Sequence, residues 1–219
     1  MKPRPANQTT VAMTLTEVLV VIVLLAFLVL IFFPWPEPKA RKKTEQIQCL
    51  SNLKQIAIAC RIWAGDNNDK YPMQVSLTNG GAMELIAAGN VAACFQVMSN
   101  ELNTPELLIC PADTNRIVTT SFGNGLNNSN ISYFVGLDAD QTNPQMFLSG
   151  DDNFAVGGAP VKSGLLLLST NTPITWTAAR HRYAGNISFA GGSVQQMNTE
   201  DLQQALQQTG VATNRLAIP

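Results

Sequence analysis

Hydrophobic positions along the chain fall into three regimes. From Val18 to Phe33 no side chain is polar. As a helix those residues span about 24 Å, and flanking Met13, Leu15 and Trp35 extend the segment to roughly bilayer thickness. A core helix would show a polar face, and this one has none. A cleaved secretory signal needs a shorter apolar core and a small-residue exit, whereas this run leaves through Phe32-Phe33-Pro34-Trp35. The pattern therefore predicts a transmembrane helix over 13–33. Pro34, Pro36 and Pro38 then alternate along a linker, 34–38, that helix cannot cross readily.

The second regime is amphipathic. Ile47, Leu50, Leu53, Ala57, Cys60 and Trp63 recur at three- and four-residue spacing, which predicts a helix over 39–65 with those residues on one face. The third regime, 66–219, mixes short strand-like runs with helical ones. Residues 81–103 read as a helix with Met83, Leu85, Ile86, Phe95, Val97, Met98 and Leu102 as core. Strands are expected at 131–137, 145–149, 164–169, 173–179, 185–190 and 193–197, the last two joined by a hairpin at Gly191-Gly192. A final helix starts at Thr199, with Glu200 and Asp201 in its first turn, Leu202, Ala205 and Leu206 on its inner stripe and Gly210 ending it. The expected fold class is α+β: a transmembrane helix, an amphipathic helix, then a small antiparallel-sheet domain with a C-terminal helix.

Composition changes this picture in two ways. Charged residues are only 13% of the 219-residue chain, a weakly charged surface more typical of exported proteins than of cytosolic enzymes. Six of the fourteen basic residues (Lys2, Arg4, Lys39, Arg41, Lys42 and Lys43) flank the apolar run, and beyond residue 46 eight basic residues face twelve acidic ones. No basic face remains to bind nucleic acid.

The four cysteines, Cys49, Cys60, Cys94 and Cys110, contain no CxxC pair, so no zinc or redox motif is expected. Cys49 and Cys60 lie on one helix about 16 Å apart and cannot bond to each other. Two pairings remain, Cys49–Cys110 with Cys60–Cys94 or the crossed alternative, beside a third reading of buried free thiols. His181, the single histidine, has no nucleophile motif around it, and no enzymatic activity is expected. The acidic pairs Asp66/Asp69, Asp138/Asp140 and Asp151/Asp152 are weak candidates for calcium, a cation that takes oxygen ligands, and fit solvated turns better. No other cofactor is implied.

The polar opening "MKPRPANQTTVA", followed by Met13-Thr14-Leu15-Thr16-Glu17 and the apolar run, resembles the prepilin signal of type IV pilins and type II secretion pseudopilins. "CLSNLKQIAIACRIWAGDNNDKYP", "MSNELNTPELLICPAD", "ISYFVGLDADQTNPQ" and "AGNISFAGGSVQQM" extend the likeness to verrucomicrobial pseudopilin-like proteins. The resemblance implies a leader, 1–12, cut by a prepilin peptidase between Ala12 and Met13, and N-methylation of Met13. It also implies that Glu17, fifth after the cut, pairs with the N-terminal amine of a neighbouring subunit during assembly. Ala12 stands where the family usually has glycine, and Gly191 stands where relatives carry an aspartate. "QCLSNLK" and "CPAD" match the family's cysteine motifs, so the resemblance favours Cys49–Cys110. The partners implied are the peptidase, other pseudopilin subunits and membrane lipid. Flanking cations alone, two before the span and four soon after it, would place the large domain in the cytoplasm. The resemblance instead implies a single-pass protein of the bacterial inner membrane with that domain, 66–219, periplasmic or extracellular. The alternative function is an anchored extracytoplasmic binding protein that does not assemble.

Overall fold

The structure is a computed structural model that describes residues 13–32, 38–123 and 125–219. The expected leader, Ala12 and most of the proline linker lie outside the described residues. Contacts divide the chain into two units, Met1–Ala40 and Arg41–Pro219. In the first, helix α1 (Leu15–Phe32) is exposed on every side. Its 18 residues rise about 27 Å, and it is apolar enough to cross a membrane.

Helix α2 runs Pro38–Asp66, so Pro38 opens the helix instead of closing the linker. The reason is that proline's fixed φ and missing N–H suit the first helical turn. Within the second unit, Cys49, Leu53, Ile56, Cys60, Trp63 and Ala64 are buried on one side of α2. Ile47, expected on that face, is instead 61% exposed, and Ile56 takes an inner position. At 100° per residue Ile47 falls about 160° from Cys49, on the opposite side with Ile58 and Ile62.

The expected helix over 81–103 is three short ones: α3 (Met83–Ala87), α4 (Val91–Val97) and α5 (Ser99–Leu102). Gly89, at φ +87°, makes the first break, and the side chain of Asn90 accepts the Ala93 amide to start α4. Ile86, Phe95, Met98 and Leu102 are buried as expected, while Met83 and Leu85 face outward.

A six-stranded antiparallel sheet forms the centre of the second unit. Its strands are β1 (Tyr133–Gly136), β2 (Phe147–Asp151), β5 (Gly164–Ser169), β7 (Gly185–Phe189), β8 (Val194–Met197) and β9 (Thr213–Ile218), in the order β5-β9-β1-β2-β7-β8. A second sheet of β3 (Phe154–Val156), β4 (Ala159–Pro160) and β6 (Ile174–Trp176) has the order β4-β3-β6. The sequence reading lacked β3, β4 and β9. The first two are two or three residues long, too short for a period-two pattern. The third follows the helix that was expected to end the fold.

Side chains alternate across the central sheet. Tyr133, Val135, Leu148 and Ala217 join the core beneath α2 and the α3–α5 helices. Phe134, Phe147, Ile187, Phe189, Leu216 and Ile218 join a second core with the small sheet and the last helix, α6 (Thr199–Gln207). Asn198 caps α6 by accepting the Asp201 amide at 2.9 Å, and Leu202, Ala205 and Leu206 are its buried stripe. Edge-on contacts link Phe134 to Phe154 and Phe154 to Trp176 across the second core.

Gly185 opens β7 because the Trp176 ring occupies the space a Cβ would need, 2.3 Å away. Gly185→Ala forces a bulky ring to move in a packed core. The expected cost is about 1–3 kcal/mol in a denaturant unfolding measurement; a change below about 0.5 kcal/mol contradicts this packing.

Candidate functional site

Polar groups collect where α2 crosses the end of β2. Asp151 closes β2 and is fully buried. Its Oδ2 accepts the Asn186 amide at 2.7 Å and the Asn186 side-chain N–H at 2.9 Å. Its Oδ1 lies 3.4 Å from Cys49 Sγ. The Tyr133 hydroxyl approaches that sulfur to 3.2 Å from the start of β1. His181 Nε2 lies 3.2 Å from Cys110 Sγ and 3.6 Å from Asp151 Oδ2. Burial pushes the Asp151 carboxyl above its ordinary range, against the opposing pull of Arg180, His181 and the Asn186 donors. Burial likewise holds the His181 imidazole below its ordinary value, against Asp151.

Cys49 and Cys110 form a disulfide with Cα atoms 5.1 Å apart, tying α2 to the loop after the Pro105–Leu108 turn. Cys60 and Cys94 are both buried free thiols, so the expected second bond is absent. Burial pushes Cys60 up to about 12 and Cys94 well above its ordinary value. Each sits in the apolar core beneath α2.

His181 reaches the cluster through an unusual backbone. His181, Arg182 and Tyr183 take φ values of +43°, +50° and +63° in succession. Each left-handed non-glycine residue costs about 1–3 kcal/mol, strain that surrounding contacts must hold in place. The neighbouring Gln46 side chain on α2 donates to the His181 carbonyl at 3.5 Å.

Beside the cluster runs a ring of two arginines and two aspartates, Arg180 buried and the other three half-buried. Arg180 pairs with Asp113 at 3.2 Å and with Asp152; Arg116 pairs with Asp113 at 3.4 Å and with Asp152. Arg180 also donates to the Ser132 carbonyl at 3.1 Å, and the Ser132 hydroxyl donates to Asp113 at 3.0 Å. Charges in this ring alternate, and each is satisfied within the protein. A cavity of about 330 Å³ opens over the ring, bordered by Asn153, Phe154 and Val161. A second, about 180 Å³, reaches His181 between Gln46 and Arg182.

The other expected site residues do not converge here. Asp152, weighed for calcium, is an ion-pair partner of both arginines. Asp138 is taken by Arg215, and Asp140 accepts from Thr142 and Gln74. Asp66 ends α2 and Asp69 occupies the turn after it, at φ +58°. Among the described residues, the one group whose donor atoms gather as a metal site would require is Cys49, Cys110, Asp151 and His181, all within 4.8 Å of one another.

Glu17 stands in the first turn of α1. It accepts the Thr14 amide at 2.8 Å while its own amide points to the Thr14 hydroxyl at 3.4 Å. That reciprocal pair is a capping box, legible as Thr14-x-x-Glu17 before an apolar run. Sequence reading passed over that local role. It also missed Arg116, Asp113, Arg180, Tyr133 and Asn186, although Asp113 ends the "CPAD" segment and Arg180 directly precedes His181.

Arg180→Met leaves Asp113 and Asp152 with Arg116 as their remaining cation and is expected to cost about 1–3 kcal/mol in chemical unfolding, for the charge-assisted hydrogen bonds lost. Thiol titration of the unreduced protein is expected to find no reactive cysteine in the native state and two after unfolding; four after unfolding would show that Cys49 and Cys110 are not bonded. No protein-family profile, curated protein or solved structure matches this chain.

Proposed function

We propose that the chain is a prepilin-type, membrane-anchored subunit: cut before Met13, held in the bacterial inner membrane by α1, and assembled with like subunits through its helices. What carries the reading is exposed apolar surface on each of the two helices, taken separately. Helix α1 is exposed all round, and on the side of α2 turned away from the sheet Ile47, Ile58 and Ile62 are 61%, 57% and 53% exposed. A helix that only covered a sheet would be polar on that side. Exposed isoleucines standing among Lys54 and Arg61 on that side suit packing against other helices. The prepilin-like order of residues 1–17 supplies the processing step, and the low charge suits an extracytoplasmic domain.

In this reading Glu17 has two successive partners. Before assembly it caps its own helix through Thr14. In a filament it turns to a neighbour's Met13 amine, a stronger partner in a medium of low dielectric. A second reading, an anchored binding protein, draws on the cavity over the Arg116–Arg180 ring.

The test is co-expression of the full chain with a prepilin peptidase, followed by mass spectrometry of the mature N-terminus and cross-linking in membranes. The expected product begins at Met13. Glu17→Ala is expected to be cleaved yet to lose inter-subunit cross-links, whereas Thr14→Ala, which removes the hydroxyl from the cap but keeps the carboxylate, retains them. Equal cross-linking of Glu17→Ala and wild type favours the lone anchor, and a mature chain beginning elsewhere removes the prepilin reading.

A further inference from the structure

A disulfide satisfies its own sulfurs and asks for no polar company. Here it is surrounded by a buried carboxylate, a buried imidazole and a buried phenol. Burying such groups beside an apolar S–S link is costly without a further purpose, and the left-handed run at His181–Tyr183 adds strain to bring the ring there. The donor set, two sulfurs, one imidazole nitrogen and one carboxylate oxygen, belongs to a tetrahedral transition-metal centre.

The distances agree. Metal–ligand bonds of about 2.0–2.3 Å put neighbouring donors of a zinc tetrahedron about 3.5 Å apart. Cys110 Sγ and His181 Nε2 are 3.2 Å apart, and Cys49 Sγ and Asp151 Oδ1 are 3.4 Å apart. All four donor atoms lie within 4.8 Å of one another, and the bonded sulfur pair must separate. We propose that reduction of Cys49–Cys110 converts this cluster into a zinc-class site with Cys49, Cys110, His181 and Asp151 as its four ligands. The chain thus holds either a disulfide or a metal at one place. This inference does not depend on the filament reading.

The chemistry balances. A dithiol reductant gives two electrons and two protons to the S–S bond and becomes a disulfide itself, leaving two thiols. The divalent ion then displaces those two protons and binds two thiolates, the imidazole and the carboxylate. Asn186 holds Asp151 Oδ2 through two hydrogen bonds and so turns Oδ1 toward the sulfurs. Tyr133 donates to Cys49. Such outer contacts commonly carry a tenfold to hundredfold share of metal affinity. The smaller cavity is bordered by Gln46, His181 and Arg182, next to the buried imidazole.

The experiment uses the full chain in detergent under anaerobic conditions, oxidised or reduced with a dithiol that is then removed. Cobalt(II) is added as the probe, with zinc in competition. Reduced wild type is expected to take up one cobalt per chain, with a thiolate-to-cobalt charge-transfer band in the near ultraviolet and tetrahedral bands in the visible. The oxidised chain should take up none. Cys60→Ser/Cys94→Ser should behave as wild type, His181→Ala should lose stoichiometric binding, and Tyr133→Phe should weaken it about tenfold. Bound zinc should also block re-formation of the disulfide in air. The proposal falls if reduced wild type binds no metal, if the oxidised chain binds it equally, or if His181→Ala keeps the full signal. Because the oxidised and reduced arms share one sequence, a misfolded variant cannot mask the answer.

Discussion

The central sheet has to be covered on both faces, and that requirement organises the second unit. With Tyr133, Val135 and Leu148 on one side and Phe134, Phe147 and Ile187 on the other, neither face tolerates water. Helix α2 with α3–α5 closes one face, and α6 with the small sheet closes the other. The covers come from distant parts of the chain. Antiparallel pairing supplies the hydrogen bonds, but it is the two-sided burial that decides which helices must return to the sheet.

Covering the sheet creates a seam where α2 meets the ends of β1 and β2, and the polar residues at those ends become buried with it. Asp151, Asp152, Asp113, Arg116 and Arg180 are charged groups that folding removes from water, and they persist because nearly every charge meets an opposite one or a hydrogen bond. The Cys49–Cys110 link crosses the same seam, joining positions 61 apart in sequence. Closing so long a loop restricts the unfolded chain strongly, by about 4 kcal/mol in the chain-entropy account. The seam thus gathers the disulfide, the ion pairs and the Asp151–His181 contact in one place.

Glu17 shows how one residue can carry a local and a proposed distant role. A carboxylate three residues after a threonine at the head of an apolar helix completes a cap and lies where the helix dipole favours negative charge. The cap explains why a carboxylate is tolerated there without any partner subunit. The proposed exchange of partners in assembly builds on that tolerance.

Periodicity and turn chemistry are short-range, so the sequence by itself determined the apolar span, the amphipathic α2, six of the nine strands among the described residues, the Gly191-Gly192 hairpin and the capped α6. It could not place β9 beside β1, because that pairing joins residues some eighty positions apart and leaves no local trace. It chose the inward side of α2 through Leu53, Ala57, Cys60 and Trp63 but misplaced Ile47, since isoleucines stand on both sides and only the packing against the sheet selects Ile56 over Ile47. The gathering of Cys49, Cys110, Asp151 and His181 belongs wholly to the tertiary structure. Four residues on a helix, two loops and a strand end meet only because both sheet faces are buried, and no spacing along the chain encodes that meeting.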